Sequence, residues 1–331
     1  MYYILASEIQ VTPKSGARPF WFYHVNSVEI ISTIDALDTT CVIRIPSTSK
    51  WKSADGKVSN VANVEKFHVG DRIDVYLGMS KKTVRGEFSG YIKNIDNSQL
   101  MTLECVGYEY ELSRTLKTRT FASVNLRELM HYIISDTSIR LYDELPTVEM
   151  TNYVIPANIT AKEALQQLKE RYGLTIYMVG NELYAGLDFV ARRGEVKYSL
   201  GFNTIGANEL KQTTQDRKIK IKAVLIRKDN TKVEIEVGDK DGEQRTLFFY
   251  DSPGGADLKS RAEAQLAKMS TDGYKGKLTT FLLPYAAPAM VAEIKDINQP
   301  AKNGKYEIRT VTTRFSTSGG RRIIELGKKL S

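Results

Sequence analysis

The sequence predicts a mainly β protein of the α+β class, with two antiparallel β-barrel domains and a small helical α+β domain inserted between them. Apolar residues with a two-residue period fill the first third of the chain, helical periods cluster in the middle, and the two-residue period returns in the last third. The 331 residues, of which 42% are hydrophobic, are enough for two or three domains with their own cores.

The first barrel is predicted over residues 1–117, where nearly every segment has a strand pattern. Ile73, Val75 and Leu77 alternate with polar residues, and Gly90 stands where a bulge or a close backbone approach would bend a barrel. The predicted strands are Tyr3–Val11, Phe20–Tyr23, Ser27–Thr33, Thr40–Pro46, Arg72–Leu77, Arg85–Ile95 and Met101–Gly107. Seven strands without a long helix favour a closed or nearly closed antiparallel barrel.

One segment of this domain departs from the strand pattern. Residues 47–66 are polar and space three valines three apart, which predicts a long loop with some helical tendency. Spaced apolar side chains on a long loop need a surface that buries them. The candidate contact residues for a neighbouring ring or a neighbouring subunit are Trp51, Val58, Val61, Val64 and Phe67. The alternative is that the loop folds back on its own barrel.

The inserted α+β domain is predicted over residues 118–202 and begins with a helix. Ser123 or Asn125 is placed to cap this helix, because either side chain can accept a hydrogen bond from a backbone N–H of the first turn. The helix has one apolar face, formed by Leu126, Leu129, Met130, Ile133 and Ile134.

A second helix in the same domain has clearer boundaries. Thr160 and Glu163 form a capping box at its start, and Gly173 is well placed to end it. Gly180 and Asn181 then provide a two-residue turn between two short apolar runs, which predicts a hairpin.

The second barrel is predicted over residues 203–331, with one helix at about 257–270. Asp257 is placed to cap this helix, and Gly273 to close it. Strands with a two-residue period stand on both sides of the helix. In one of them, three lysines alternate with apolar residues, namely Lys218, Lys220 and Lys222.

Composition restricts the classes of function. The net charge is +8, but 39 acidic residues are interleaved with 47 basic ones, which indicates a mixed charged surface rather than a groove for a polyanion. The start of the chain lacks the pattern of a signal peptide, and no run approaches the roughly 20 apolar residues of a membrane span. We therefore expect no membrane anchor and assembly in a cytosol.

Metal and cofactor sites are not expected. Cys41 and Cys105 lie in strand-like runs and are predicted to be buried free thiols. The three histidines, His24, His68 and His131, are too scattered to aim two ligands at one ion.

Segments that match a known family follow one another along nearly the whole chain. They are Val28–Ile30 through Ile45-Pro46, Gly70-Asp71-x-Ile73, Phe88-x-Gly90-Tyr91-Ile92, Thr160-Ala161-x-x-Ala164-Leu165-x-x-Leu168, Ala262-Glu263-x-x-Leu266, Gly273–Gly276, Gly304-x-Tyr306-x-Ile308-x-x-Val311 and Ile324-x-Leu326-Gly327. In this order and spacing, the chain resembles the baseplate hub proteins of contractile phage tails, the late control protein D family, and the hub part of type VI secretion spike proteins.

The resemblance implies a structural, non-enzymatic hub. Members of this family are homotrimers with two barrels in each chain, and the ring of six barrels joins a hexameric tail tube to a trimeric spike. The expected partners are the tail tube protein, other baseplate proteins and a separate spike protein, because this sequence stops soon after Leu326-Gly327. Assembly is expected in the bacterial cytoplasm, and the final place is the baseplate of a virion or injection particle.

The resemblance also makes the tail tube the neighbouring ring that the five candidate contact residues would meet, and it gives the lysines a candidate role. Lys218, Lys220 and Lys222 are the candidate lining of a channel through which DNA or another cargo passes in transit, since lysines attract phosphates. The alternative is a solvated strand face.

Two other classes of function remain as alternatives. A peptidoglycan hydrolase needs two carboxyl groups at a fixed separation, and Glu104, Glu109 and Glu111 cluster, with the last two expected on one strand face. A barrel that binds single-stranded nucleic acid needs exposed aromatic residues beside a basic groove. Tyr108, Tyr110 and residues 20–23 supply aromatic rings without a matching basic stripe.

Overall fold

The computed structural model describes residues 5–52, 56–186, 193–205, 210–213, 218–226, 231–249, 255–269 and 273–330. These residues form a mainly β protein with a few helices, which confirms the predicted class. The N-terminal part contains the strands β1 Ala6–Thr12, β2 Phe20–Phe22, β3 Ser27–Thr33, β4 Thr40–Pro46, β5 Thr48–Lys52, β6 Val58–Ala62, β7 Arg72–Gly78, β8 Arg85–Asn97 and β9 Leu100–Val106.

The middle and C-terminal parts contain the helices and the remaining strands. The middle elements are α1 Glu109–Leu112, β10 Leu116–Asn125, α2 Leu126–Ile134, β11 Arg140–Leu141, β12 Glu149–Thr160, α3 Ala161–Tyr172, β13 Thr175–Val179 and β14 Glu182–Gly186. The C-terminal elements are β15 Glu195–Ser199, β16 Lys211–Thr213, β17 Ile219–Ile226, β18 Lys232–Gly238, β19 Glu243–Phe249, α4 Gly255–Met269, β20 Gly273–Thr280, β21 Val291–Lys295, β22 Gly304–Ser316 and β23 Gly319–Lys329.

One large sheet joins the two ends of the chain. Its order is β16-β20-β23-β22-β3-β4-β9-β8-β7-β1-β2, and β21 pairs with both β15 and β22. The N-terminal and C-terminal parts meet where β3 pairs with β22 in an antiparallel register from Ser27↔Ser316 to Thr33↔Thr310. No closed barrel is seen among the described residues, so the closure of two barrels and the domain limits at 117 and 202 stay predictions.

The seven strands predicted for the first domain are all present. Their ends agree within two residues, apart from the predicted start at Tyr3, which lies outside the described residues. Gly90 is needed for a close backbone approach, because a Cβ there would lie 2.1 Å from the carbonyl oxygen of Val106. Cys41 and Cys105 are buried free thiols, as predicted, and face each other as register partners on β4 and β9.

The predicted loop over residues 47–66 is wrong. This segment contains the antiparallel hairpin β5–β6, and only Asn63–Glu65 is helical, as a short 3-10 turn. A valine spacing of three fits a helix face, but Trp51 anchors β5 on the main sheet and Ser59 pairs with it across the hairpin. Tertiary packing therefore decides the structure of this segment.

The helical domain follows the local signals of its sequence. Asn125, not Ser123, caps α2, since its side chain accepts a hydrogen bond from the N–H of Glu128 at 2.9 Å. The capping box of Thr160 and Glu163 is present at α3. Gly173 ends α3 in the left-handed region with φ of 63°, which glycine adopts at little cost. The predicted hairpin is β13–β14.

Three strands that the sequence assigned to the second barrel form a sheet of their own. The order of this sheet is β18-β17-β19, and α4 covers its apolar face with Leu258 and Ala262. The small sheet is inserted between β16 and β20, whose ends Thr213 and Gly273 are register partners. The side chain of Asp257, the predicted cap, lies outside the described residues, and α4 begins two residues earlier, at Gly255.

Candidate interaction surfaces

The side chain of Trp51 attaches the β5–β6 hairpin to the main sheet. Its Nε1 donates a hydrogen bond to Oδ1 of the buried Asn63 at 2.9 Å, and Asn63 Nδ2 in turn donates to the carbonyl of Pro46 at 2.6 Å. The indole lies edge-on to Phe20 and Phe67, with ring centroids 5.2 and 6.4 Å away. The base of the hairpin is thus part of the N-terminal core.

The five candidate contact residues divide into two groups. Trp51 and Phe67 pack within the chain, and only 2% of Phe67 is exposed. Val58 and Val64 are exposed to 58% and 38%, and Val61 is half-buried. The alternative, in which the segment folds back on its own sheet, therefore describes Trp51 and Phe67. The two exposed valines stay a candidate contact surface.

Of the three candidate channel lysines, Lys220 and Lys222 lie on the face of β17 opposite α4, and Lys218 directly precedes the strand. Each is within 4 Å of a carboxylate, in the pairs Lys218–Asp239 at 3.9 Å, Lys220–Glu236 at 2.6 Å and Lys222–Glu234 at 2.7 Å. The hydrogen bond with Glu234 raises the pKa of Lys222, and that with Lys220 lowers the pKa of Glu236. These carboxylates offset the positive charge, which favours the solvated strand face.

The junction between the N-terminal and C-terminal parts contains a buried ion pair. Arg322 on β23 donates two parallel hydrogen bonds to Glu87 on β8, at 3.1 and 2.9 Å. It also donates to the hydroxyl of Thr313 at 2.9 Å and to the carbonyls of Leu282 and Ala286 at 3.1 and 3.3 Å. The paired geometry and the extra acceptors compensate the guanidinium for the loss of water.

Sequence reasoning missed this ion pair, although the strand pattern contains a signal. Ile324 and Leu326 alternate inward along β23, and Arg322 continues the same alternation. A charged residue at an inward position predicts a buried partner. The partner, Glu87, lies 235 residues away along the chain. No local sequence signal identifies it.

The clustered carboxylates have structural partners. The prediction that Glu109 and Glu111 share a strand face is wrong, because both residues lie in the short helix α1. Glu109 Oε1 accepts hydrogen bonds from the N–H groups of Thr39 and Gly107, both at 2.8 Å, and burial raises the pKa of Glu109 to about 7. Glu111 accepts from the Tyr91 hydroxyl at 2.5 Å. Both groups thus connect α1 to the sheet.

The aromatic residues that a barrel binding single-stranded nucleic acid would use do not form one exposed platform. Phe22 and Tyr108 are buried, and Phe20 packs against Trp51 and Phe67. Tyr108 accepts a hydrogen bond from Arg72 at 3.0 Å. Stacking of several bases needs open ring faces, so this arrangement gives no support to that alternative.

In the described part of the chain, no group of three or more His, Cys, Asp or Glu side chains is arranged to hold a metal ion. None of the helices described there combines the length and the apolar character of a membrane span.

The fold has clear relatives among solved structures, whereas no protein-family profile and no curated protein matches the chain. The 43 kDa tail protein of prophage MuSo2 from Shewanella oneidensis superposes with a TM-score of 0.68 at 13% identity, covering 97% of this chain and 98% of that one. The tail protein from Neisseria meningitidis gives 0.69 at 12% identity, with 97% and 96% covered.

A type VI secretion protein is also similar. The E. coli c3393 protein, described as a component of the type VI secretion system with structural similarity to T4 phage tail proteins, gives a TM-score of 0.55 at 12% identity, covering 92% of this chain and 73% of that one. The chain therefore has the fold that phage tail proteins share with type VI secretion proteins, which confirms the fold resemblance inferred from its sequence.

Proposed function

We propose that this protein is the structural baseplate hub of a contractile phage tail or a related injection system. In this proposal, three copies each contribute two β-barrels, and the trimer adapts the hexameric tail tube to a trimeric spike. The protein has no enzymatic role. Its partners are the tail tube protein, a separate spike protein and other baseplate proteins, with DNA or cargo only in transit. It assembles in the bacterial cytoplasm and remains in the baseplate of the particle.

The observation that carries this proposal is the continuous sheet through both parts of the chain. Seven residue pairs join β3 to β22, and Arg314 Nε donates to Glu29 across this pairing at 2.5 Å. The buried pair of Arg322 and Glu87 connects β23 to β8. Two β units held rigidly side by side in each chain are what a trimer needs to present six similar units to a hexameric ring.

The resemblance to tail proteins extends over nearly the whole chain and supports the same proposal. In this arrangement the exposed valines of the β5–β6 hairpin, Val58 and Val64, contact the tube or a neighbouring subunit. Lys218, Lys220 and Lys222 stay the candidate lining of the channel, in a form neutralised by the carboxylates of β18 and its following turn.

The mass in solution tests the trimer. Light scattering over a concentration series is expected to give about 112 kDa, three times the chain mass of 37.3 kDa, for the chain alone, or this mass plus that of the bound spike after co-expression with a spike protein. Negative-stain images of the complex are expected to show a ring with threefold symmetry. A monomer in both preparations, or hydrolysis of purified peptidoglycan, would contradict the proposal.

A further inference from the structure

A cavity of about 70 Å³ lies where three parts of the chain meet. The N-terminal strands β3 and β8 line it with Ser32 and Ser89, and the C-terminal strands β22 and β23 line it with Thr313 and Arg322. A further wall is the turn of the β13–β14 hairpin, at Gly180. The cavity is therefore a space shared by the N-terminal, middle and C-terminal parts.

One buried donor in the wall of this cavity lacks an acceptor. Arg322 is 1% exposed, and its two terminal nitrogens donate to Glu87, to Thr313 and to two backbone carbonyls. Its Nε is also buried and has no hydrogen-bond partner among the described residues. Such buried N–H groups are rare, because each has lost its bond to water without replacement. Since Arg322 lines the cavity, an acceptor inside the cavity would satisfy this N–H.

Hydroxyl groups of the lining can complete the bonds of a molecule in the cavity. The hydroxyls of Ser32 and Thr39 are 3.4 Å apart, longer than the roughly 2.8 Å that two hydroxyls prefer, so both keep capacity for a further bond. The Thr313 hydroxyl accepts from Arg322 at 2.9 Å, which leaves its own proton for another acceptor. The cavity thus offers both donors and acceptors.

The charges around the cavity favour a neutral occupant. Arg322 and Glu87 both line it and form an ion pair with two hydrogen bonds, at 3.1 and 2.9 Å. An anion would meet the carboxylate of Glu87, and a cation would meet the guanidinium of Arg322. Arg85 Nε lies 3.9 Å from Glu87, but its side chain is 43% exposed, so solvent screens its charge.

Water fits this lining better than an apolar molecule does. An apolar molecule would leave the Nε–H of Arg322 without an acceptor. Water is neutral, donates and accepts, and needs two to four polar partners. The cavity has room for about two water molecules, at roughly 30 Å³ each.

We propose that this cavity is a binding site for ordered water molecules, which complete the hydrogen bonds of Arg322 and connect the three parts of the chain. One water accepts from Arg322 Nε, and the hydroxyls of Ser32, Thr39 and Thr313 hold the cluster from the N-terminal and C-terminal sides. The β13–β14 hairpin then contacts the main sheet in part through water. This inference concerns the fold of one chain and does not depend on the proposed hub.

A variant that fills the cavity distinguishes bound water from empty space. Ala287 lies in the lining, and a methionine there adds a flexible apolar side chain that adapts to irregular gaps. In an empty cavity, Ala287→Met would add contacts and raise the urea midpoint of unfolding. In a hydrated cavity it displaces the waters and leaves the Nε–H of Arg322 unpaired, so we expect a lower midpoint. Ala122→Met, at an exposed position of β10, is the matched control and should leave the midpoint unchanged.

A background without the ion pair separates this effect from overpacking. In Glu87→Met/Arg322→Met no guanidinium is present, so the displacement of water removes no bond of Arg322. We expect Ala287→Met to lower the midpoint less in this background than in the wild type. Equal lowering in both backgrounds would mean that the methionine only overpacks the cavity, which would overturn the role given to the waters.

The waters can also be counted directly. Oxygen-17 relaxation dispersion of the water signal detects bound waters with long residence times, and we expect Ala287→Met to lose about two of them relative to the wild type, and Ala122→Met to lose none. A crystal structure of the wild type, which does not depend on whether a variant folds, should show a water within about 3.2 Å of Arg322 Nε. No loss of waters in the filled variant, or a crystal cavity that is empty or holds an ion, would overturn the inference.

Discussion

Glu109 is a buried carboxyl group at the point where the main sheet passes into the helical domain. One of its oxygens accepts two backbone hydrogen bonds, and the other, Oε2, has no hydrogen-bond partner among the described residues. Burial, and secondarily the charge of Asp38, raises its pKa from 4.5 to about 7. A carboxyl group with this pKa resists ionisation in the folded protein.

This shift predicts how stability depends on pH. Below about pH 4.5 the group is protonated in both folded and unfolded chains, and above about pH 7 it is ionised in both. Between these values the folded protein binds more protons, so stability from this group falls as pH rises, by on the order of 3 kcal/mol in total. We expect Glu109→Gln to remove this loss.

Urea unfolding at pH 4.5 and pH 8 measures the effect. The difference in free energy of unfolding between the two pH values should be smaller in Glu109→Gln than in the wild type. Glu149→Gln, at an exposed carboxylate, is the matched control. Equal pH dependence in the wild type and Glu109→Gln would show that Glu109 ionises normally.

Substitution of Arg322 is expected to lower the stability of the fold, because its partner Glu87 is also charged and buried. Arg322→Met leaves Glu87 without its cation, and we expect a loss of roughly 3–5 kcal/mol in the free energy of unfolding. Glu87→Met/Arg322→Met replaces the pair by apolar groups and should recover most of that loss. A double-mutant cycle by chemical unfolding measures the coupling, and additive losses would contradict it.

At the scale of elements, sequence signals predicted the structure correctly where the interacting groups lie within a few residues of each other. The caps of α2 and α3 and the turn at Gly180 could be predicted, because each depends on contacts three residues apart or on the backbone freedom of one glycine. The β5–β6 hairpin could not, because its formation depends on Trp51 reaching Phe20 and Phe67.

The exposed part of that hairpin carries a prediction about assembly. Val58→Ser/Val64→Ser should change the free energy of unfolding by less than about 0.5 kcal/mol, since both side chains are exposed, and should weaken co-sedimentation with tail tubes. Val154→Ser, on the β10–β12 ribbon, is the matched control. Unchanged co-sedimentation of the double variant would remove the hairpin from the candidate contacts.

The small sheet with α4 predicts that a module can be removed. Because Thr213 and Gly273 are register partners, deleting residues 214–272 and joining the two strands through Asn-Gly makes an ordinary two-residue hairpin. The module has its own core, and it contacts the end of α3 where Arg261 lies over Tyr172 at 5.0 Å and Gln265 lies beside Gly173.

We expect the shortened chain to fold with the rest of its strands intact. Far-UV circular dichroism and amide hydrogen exchange measure this, and strands β20, β22 and β23 should keep their protection. Loss of protection in β22 would show that the module is needed for the main sheet.

At the scale of the whole molecule, the central feature is the pairing of β3 with β22. Strand patterns in both segments were clear from the sequence, but the pattern of one strand does not specify which distant strand it pairs with. The same limit explains why β17, β18 and β19 were assigned to a second barrel. The carboxylate partners of Lys220 and Lys222, which lie on β18, could be identified only once the register of β17 and β18 was known.

This pairing predicts that the N-terminal part is incomplete by itself. Residues 1–186 alone leave the edge of β3 open and Glu87 without Arg322, and open strand edges promote association. We expect this fragment to aggregate, and co-expression with residues 187–331 to give a soluble one-to-one complex. Size-exclusion chromatography with light scattering measures both, and a soluble monomeric fragment would contradict the prediction.

The β3–β22 pairing also determines when the main sheet can be completed during synthesis. During synthesis, β3 leaves the ribosome about 280 residues before its partner, at the rate of about 5–20 residues per second. For that interval of tens of seconds the main sheet lacks its central neighbour. A chain that ends before β22 therefore never completes the main sheet, so the topology itself keeps unfinished copies from reaching the folded state.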